Sequence, residues 1–361
     1  MQPNSVKIIV VIVAIAVIAS GVAVYLADNN NDKGDKRLYE VTDLAGNKIK
    51  FDSVPERIIT LNALTTEAMC ELGLTSNIVG VTSDAGVHDV TNFIYGMDFD
   101  IEYPDQLKAQ IKSGKTALVG PVVSWTTDQV MIHNPDVVIF QNSADNLNKM
   151  RLLQDMGVTC IVTNNTYDSV NVIYDNMELL GKAFGKSDRA QLFNNSMKEA
   201  LEHIYTTCKG FEGKDVITCN SSSGGPIYAY SHGLLRHAIL REMGCTTNMA
   251  GAATGIVTAE NFLEYQPDVI IIGTFGSIES VVALKNKMES DPLWAEVKAM
   301  QNGEVYFTDY PCTQTSSYTS HHLVHGIALL ATIVFDDIGI NVPQLVEEKD
   351  YLNYISWVDQ T

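Results

Sequence analysis

The sequence predicts an α/β protein made of two Rossmann-like lobes with parallel sheets, which are joined by a long α-helix. Three observations support this fold class. Strand-length apolar runs alternate with helix-length segments along most of the chain. Several phrases occur twice, in the same order, in the two halves. With 361 residues, 46% of them hydrophobic, the chain is large enough to build two separate cores.

The first segment predicts attachment to a membrane. Residues 8–27, IIVVIVAIAVIASGVAVYLA, are uncharged, apolar and long enough to span a bilayer as a helix, with residues 1–7 on the cytoplasmic side and 28–37 as a polar linker. A cleaved signal peptide is the alternative, since AIAVIAS offers small residues for cleavage. Both interpretations place the body outside the cytoplasm, and no Cys precedes Cys70 to carry a lipid.

The first lobe is predicted to cover residues 38–166. Two short alternating runs around Ala45-Gly46-Asn47 predict a hairpin. Buried strands are predicted at 57–61, 78–82, 136–140 and 158–163, with helices at 66–73, 127–133 and 146–157. The strand at 136–140 has no polar alternation, which is typical of a sheet covered on both faces.

Helical periodicity then continues through the interlobe segment 167–208, interrupted only at Gly181 and Gly185. We expect one long helix or two nearly collinear ones. The second lobe, 209–361, resumes the alternation. Its predicted strands lie at 214–220, 268–272 and 303–309, and its helices at 232–244, 258–265, 279–288 and 318–339.

Two repeated phrases indicate an internal duplication. TTDQVMIHNPDVVIF at 126–140 matches TAENFLEYQPDVIIIG at 258–273, so that Asp136 and Asp268 occupy the same place. ELGLTSNIVGVT from Glu71 matches EMGCTTNMAGAAT from Glu242. The first half differs by carrying an additional stretch at 83–121, to which the sequence assigns no role.

The order of elements resembles the solute-binding proteins of ABC importers for iron–siderophore complexes, haem or cobalamin, the class III periplasmic binding proteins. The phrases that carry the resemblance are VTDLAGNKIKFDSVPERIITLN at 41–62, the two Pro-Asp strands and DPLWAEVKAMQNGEVYFTD at 291–309. It covers about Leu38 to Trp357. It implies a monomeric body with a ligand cleft between the lobes, a permease partner with a cytoplasmic ATPase, an iron or cobalt chelate as cargo, no intrinsic cofactor and no catalysis.

The same resemblance implies that one acid on each lobe docks on arginines of the permease. By position these acids are Asp128 and Glu260. The alternative is structural, because Thr126 and Thr258 look like N-caps and a helix dipole favours an acid in the first turn. Charge reversal separates the two interpretations, since only docking predicts lost transport with a normal fold.

Ligand contacts are expected on loops at the strand ends. Aromatic rings suit a planar macrocycle or a siderophore, and Arg236 lies near the start of a helix that borders the cleft. The aromatic candidates are Trp125, Tyr228, Tyr230, Tyr310 and, in the additional stretch, Tyr95. The alternative for each is ordinary packing. The cleft loops show no Arg or Lys cluster, which favours a corrinoid, haem or weakly charged iron chelate.

Other functions are less well supported by the sequence. The net charge of −19 argues against nucleic-acid binding. His321 and His325 lie four apart on one helical face, so a receptor for a free divalent metal ion is an alternative. A tethered extracellular enzyme is a further alternative, although Gly-x-Ser-x-Gly, His-Glu-x-x-His and Gly-Lys-Ser/Thr motifs are absent. Cys160 and Cys219 lie in predicted strands, which favours buried thiols that act as small apolar side chains, and a Cys208–Cys219 bridge outside the cytoplasm is the alternative.

Overall fold

The structure is a computed structural model that describes residues 39–82, 102–121, 124–164, 169–222, 224–229, 235–247, 255–275, 277–309 and 323–358. The chain divides into two units, residues 1–40 with 50–54 and residues 41–49 with 55–361. In the smaller unit, the ring of Tyr39 stacks on Phe51 with centroids 5.1 Å apart. The larger unit contains both parallel sheets. Each sheet together with its own helices is called a lobe, the first and second lobes in chain order.

The described strands and helices include those that were predicted, together with strands at 117–118, 227–229, 255–257 and 345–346 and helices at 102–112, 298–302 and 348–355 that were not predicted. The strands are β1 Tyr39–Thr42, β2 Lys48–Phe51, β3 Ile58–Thr60, β4 Ile78–Val81, β5 Ala117–Leu118, β6 Val137–Gln141, β7 Thr159–Thr163, β8 Val216–Ser222, β9 Ile227–Ala229, β10 Gly255–Val257, β11 Val269–Phe275, β12 Val305–Thr308 and β13 Leu345–Val346. The helices are α1 Ala63–Glu71, α2 Glu102–Lys112, α3 Thr127–Met131, α4 Ala144–Asp155, α5 Asn171–Ala183, α6 Ser187–Cys208, α7 Leu235–Glu242, α8 Ala259–Tyr265, α9 Ile278–Glu289, α10 Lys298–Asn302, α11 Leu323–Val334 and α12 Glu348–Ile355.

The predicted hairpin is confirmed, since β1 and β2 form a two-stranded sheet. Gly46 takes the left-handed conformation in its turn, with φ of +86°. The Asp43 carboxylate organises the same turn, because Oδ1 accepts from the N–H of Ala45 at 3.0 Å and of Asn47 at 2.8 Å. Its Oδ2 accepts from the N–H of Val162 at 3.0 Å, which fixes the turn to β7 of the first lobe.

The first lobe is built on a five-stranded sheet in the order β5-β4-β3-β6-β7, in which every neighbouring pair is parallel. Its central strands are buried on both faces, as their apolar composition predicts. The additional stretch 83–121 contributes to this sheet, because β5 pairs with β4 at the edge. The hydroxyl of Thr116 fixes that edge by donating to the carbonyl of Ile78 at 2.7 Å.

The second lobe is built on a six-stranded sheet in the order β10-β9-β8-β11-β12-β13. Strands β8, β11 and β12 are parallel, as predicted, and so is the unpredicted β13, but β9 pairs antiparallel with β8 and with β10. The reason is the short connection from β8 to β9 at residues 223–226. A parallel neighbour needs a crossover of about a dozen residues or more, whereas a short connection turns the chain back on itself.

The interlobe helices are not collinear, so that part of the prediction is wrong. Helix α5 ends at Ala183 and the 22-residue α6 begins at Ser187, with Gly185 in the left-handed conformation at φ of +64°. The Asn194 side-chain amide donates to the carbonyl of Tyr174 at 3.1 Å, and Lys198 Nζ lies 4.7 Å from the centre of the Tyr174 ring. Residues so far apart along the chain meet only if α5 folds back along α6 as a helical hairpin.

Helix α6 still provides the long connection between the lobes. Near its start, the Arg189 guanidinium donates to the carbonyl of Glu71 at the end of α1 in the first lobe. Its second half is packed in the core of the second lobe through Leu201, Ile204 and Cys208. A single helix that is anchored in both lobes limits how far they move relative to each other.

The repeated Pro-Asp phrase has the same structural role in both lobes. Asp136, before β6, accepts hydrogen bonds from the backbone N–H groups of Glu56 and Arg57, before the neighbouring β3, at 3.0 and 2.9 Å. Asp268, before β11, accepts from the N–H of Asp215, before the neighbouring β8, at 2.8 Å. Each aspartate therefore joins the amino ends of the two central strands of its sheet.

We expect Asp136→Ala and Asp268→Ala each to lower the free energy of unfolding by about 1–3 kcal/mol, because each change leaves backbone N–H groups without a charged acceptor. Urea unfolding measures the loss. Asp155→Ala, an exposed position in α4, is the matched control and should change stability by less than about 0.5 kcal/mol. Equal effects at all three positions would contradict the joining role.

The pKa of Asp268 gives this prediction a pH dependence. Burial opposes ionisation, but the Asp215 N–H and Lys298 outweigh it and lower the pKa of the Asp268 carboxyl. Because the folded-state pKa lies below that of the unfolded chain, the stabilisation is present above the unfolded pKa of about 4. It is lost as the pH falls through the folded-state pKa, so the difference between wild type and Asp268→Ala should shrink in acid.

Cys160 and Cys219 are buried thiols, as predicted, and the alternative of a Cys208–Cys219 bridge is wrong. Cys208 is likewise a buried thiol outside any disulfide, as are Cys70 and Cys245, while Cys312 lies outside the described residues. Burial raises the pKa of Cys160, Cys208 and Cys219 to about 12. These three thiols therefore act as small apolar side chains of the core.

The predicted membrane segment 8–27 lies outside the described residues. Among the helices that the structure does describe, none has the length and hydropathy needed to cross a bilayer.

Candidate functional site

Buried polar side chains collect at the carboxyl ends of the central strands in both lobes. Parallel α/β sheets bind ligands at this edge. In the first lobe these side chains are Thr60, Asn62 and Thr163, and in the second lobe Thr218, Asn220, Ser221, Thr274 and Thr308, all 5% exposed or less. Burial of so many polar groups is costly unless they are hydrogen-bonded, so their partners define the site.

In the first lobe, the polar groups connect β3 and β7 to the start of α1. The hydroxyls of Thr60 and Thr66 are 2.6 Å apart, and those of Thr65 and Thr163 are 3.4 Å apart. Asn62 is the N-cap of α1, and its Oδ1 accepts from the N–H of Thr65 at 2.8 Å. The Asn62 Nδ2 group is buried and finds no hydrogen-bond partner in the part of the chain that the structure describes.

In the second lobe, the buried polar groups include the guanidinium of Arg236. Arg236 is 3% exposed, and its Nη1 and Nη2 atoms each lie 3.2 Å from Oδ1 of Asn220, to which they donate. The adjacent His237 Nε2 lies 2.6 Å from the hydroxyl of Thr218. Helix α7 thus places a cation and an imidazole against the carboxyl end of β8.

Asn62 and Asn220 occupy equivalent positions in the two lobes. The strand pairing shows this equivalence. In the first lobe, Ile58 of β3 pairs with Val137 of β6, which follows Asp136. In the second lobe, Val216 of β8 pairs with Val269 of β11, which follows Asp268. Because Ile58 corresponds to Val216, Thr60 corresponds to Thr218 and Asn62 corresponds to Asn220. This pair was not predicted, although the sequence Ile-Thr-x-Asn at 59–62 and 217–220 forms a third repeat.

The structure brings two predicted ligand residues together. Tyr228, half-buried on β9, lies directly opposite Asn220 in the antiparallel pair with β8. Residues opposite each other in such a pair share one face of the sheet. Tyr228 and Arg236 therefore both adjoin Asn220, and we call these three residues the second-lobe cluster.

The other aromatic candidates are placed differently. Trp125 is fully buried in the first-lobe core, with its ring 6.2 Å from Phe140 and Lys149 Nζ 4.6 Å from its centre. In this position the indole has the packing role that the sequence analysis gave as the alternative, and a ligand role for Trp125 stays a prediction. Tyr95, Tyr230 and Tyr310 lie outside the described residues.

The two acids assigned to docking are exposed in the first turns of α3 and α8. The preceding turns are built alike, because the N–H groups of Thr126 and Thr258 donate to the side chains of Gln129 and Asn261, both at 2.9 Å. The Thr258 hydroxyl and the backbone N–H of Glu260 lower the pKa of the Glu260 carboxyl. Glu260 therefore presents a negative charge at neutral pH.

Of the predicted histidine pair, His325 lies within the described residues. His321 lies outside them, and Nδ1 of His325 is 3.2 Å from the hydroxyl of Tyr351. In the same part of the chain, no group of three or more His, Cys, Asp or Glu side chains is arranged to hold a metal ion.

Comparison with known proteins agrees with this architecture. The family model described as periplasmic binding protein matches residues 58–311. The uncharacterized ABC transporter substrate-binding lipoprotein YvrC of Bacillus subtilis is 26% identical over 321 residues, which cover 86% of this chain and 91% of YvrC.

Solved structures show the same fold at low sequence identity. The iron uptake ABC transporter substrate-binding protein PiuA from Streptococcus pneumoniae has a TM-score of 0.60 at 17% identity, covering 83% of this chain and 98% of PiuA. The periplasmic heme-binding protein RhuT from Roseiflexus sp. RS-1 has a TM-score of 0.61 at 17% identity, covering 78% of this chain and 98% of RhuT. Together with the family match over most of the two sheets, these findings show that the chain belongs to the periplasmic binding protein family.

Proposed function

We propose that the chain is the extracytoplasmic receptor of an ABC importer, which captures an iron or cobalt chelate and delivers it to a permease with a cytoplasmic ATPase. The observation that carries this proposal is the buried polar edge of both sheets, with Asn62 and Asn220 at equivalent positions. Such an edge serves a ligand held between two lobes and needs no catalytic group. The chain has no resident cofactor in this proposal.

The class of ligand follows from the chemistry of the second-lobe cluster. Tyr228 offers an aromatic ring, and Arg236 offers a guanidinium that is already partly engaged by Asn220. An aromatic ring beside one shared cation suits a flat or weakly charged chelate better than a triply charged catecholate. PiuA and RhuT, described as iron uptake and heme-binding proteins, support an iron-containing cargo.

Membrane attachment and docking complete the proposal. The Bacillus subtilis relative is described as a lipoprotein, whereas no Cys precedes Cys70 in this chain. In this chain the apolar segment 8–27 keeps the receptor close to its permease, which raises its effective concentration there. Asp128 and Glu260 then form two contacts with permease arginines.

The test is a titration of the full-length chain in detergent, purified without metal, with haemin, cobalamin and a ferric hydroxamate. We expect saturable binding of one chelate at micromolar concentration or below, followed by absorbance and tryptophan fluorescence. Arg236→Gln should weaken that binding about tenfold or more, because hydrogen bonds to charged groups are among the stronger ones.

Arg241→Gln is the matched control, since Arg241 is an exposed arginine of the same helix. It should leave the affinity unchanged, and melting curves of both variants should show that they remain folded. Failure of the wild-type chain to bind any of the three chelates would contradict the proposed function.

A further inference from the structure

We propose that Asn62 and the start of α1 form a first-lobe subsite for an anionic oxygen of the ligand, specifically a carboxylate of the chelate. This inference rests on the proposed function and narrows the class of ligand. Asn62 is 5% exposed, and its Nδ2 group is buried with no hydrogen-bond partner among the described residues. Native proteins retain few buried donors of this kind, so the group is expected to serve a partner that is absent from the chain itself.

The surroundings of this amide favour a negatively charged acceptor. Oδ1 of Asn62 already accepts from the N–H of Thr65, so the amide is held with its donor at the amino end of a nine-residue helix. The first N–H groups of this helix, those of Ala63 and Leu64, have no acceptor within the helix. Free N–H groups at a helix amino end, together with the positive end of the helix dipole, stabilise an anion.

The hydroxyls around Asn62 do not compete for this role. Those of Thr60 and Thr66 are paired with each other, and that of Thr65 is paired with Thr163. The equivalent Asn220 differs, because its carboxamide oxygen is occupied by Arg236. The two lobes therefore offer different groups at equivalent positions, a free amide donor in the first and a guanidinium in the second.

The test compares haemin, which has two carboxylates, with haemin dimethyl ester, in which both are masked, on the full-length chain in detergent. Wild type is expected to bind haemin at least tenfold more tightly than the ester. Asn62→Asp keeps the N-cap acceptor, since Asp caps helices as well as Asn, but replaces the donor with a negatively charged oxygen. It should weaken haemin binding at least tenfold and change ester binding by less than twofold.

Asn195→Asp, the same chemical change on the exposed face of α6, is the matched control and should leave both affinities unchanged. If Asn62→Asp does not fold, Asn62→Ser retains a capping oxygen without the amide donor and should also weaken haemin binding.

Several results would overturn the inference while leaving the proposed function intact. They are equal haemin affinity in wild type and Asn62→Asp, equal affinity of wild type for haemin and its ester, or binding of cobalamin in preference to haemin. Binding of none of the chelates by wild type would overturn the inference and the proposed function together.

Discussion

Reversal of both docking charges, in Asp128→Lys combined with Glu260→Lys, is expected to reduce uptake of the chelate to the level of cells without the receptor. Capture of the chelate should remain unchanged. In the proposed function, two acids at matching positions on the lobes form two separate ion-pair contacts with the permease. Replacement of both by lysine turns each attraction into repulsion, and like charges that face each other across an interface suppress association strongly.

Each single reversal should reduce uptake by at least tenfold, and the loss should be larger at low ionic strength, at which exposed charges are less screened. Uptake is measured as accumulation of the labelled chelate in cells that express the receptor with its permease and ATPase. Chelate titration and a melting curve of each purified variant establish that binding and folding are retained.

First-turn acids elsewhere provide the matched control. Glu279 in α9 resembles Glu260 closely, because the Ser277 hydroxyl and its own backbone N–H lower the pKa of its carboxyl in the same way. Asp145 occupies the first turn of α4, with its carboxylate 2.7 Å from Lys149 Nζ. Asp145→Lys combined with Glu279→Lys should lower the melting temperature about as much as the docking pair but leave uptake normal. Equal loss of uptake in both double variants would show that Asp128 and Glu260 only support their helices.

Much of the fold could be predicted from the sequence because the repeated phrases encode backbone contacts. The Pro-Asp strands lie where predicted, and Asp136 and Asp268 show why, since each carboxylate joins two strands of its sheet. The residues just before the prolines, Asn134 and Gln266, even share a left-handed conformation with φ of +46° and +44°. A repeated sequence that determines hydrogen bonds at a sheet edge therefore predicts the same local structure in both lobes.

The candidate site was harder to predict, because its signals resemble those of ordinary packing. The position of Trp125 just before a helix is also typical of a residue exposed on a loop, yet its ring is buried against Phe140. In the sequence, Asn62 looks like any N-cap residue. The burial of its Nδ2 group, which only the structure shows, distinguishes it from an ordinary N-cap. The antiparallel placement of Tyr228 beside Asn220 depends on a tight turn that the helix-and-strand periodicity does not reveal.

The helical hairpin was not predicted, for a related reason. Substitutions at its contact are expected to have a large effect on the free energy of unfolding. Periodicity cannot distinguish two collinear helices from two that fold back, since both have the same apolar spacing. In the structure, a Cβ atom added at Gly181 in α5 would lie 2.5 Å from the Cβ of Ala190 in α6 and 3.2 Å from the carbonyl oxygen of Lys186. We expect Gly181→Val to lower the free energy of unfolding by about 3 kcal/mol, because both positions are buried and the two backbones are in close contact.

A double-mutant cycle separates this close contact from a local effect on α5. Gly181→Ala introduces the offending Cβ, and Ala190→Gly removes the atom with which it collides. In a hairpin, the double variant should recover at least about 1 kcal/mol relative to the sum of the single variants, measured by urea unfolding. In collinear helices the two positions would not touch, and their effects would simply add. Because α6 is anchored to the first lobe through Arg189 and packed in the core of the second, loss of this contact should also loosen the connection on which movement of the lobes depends.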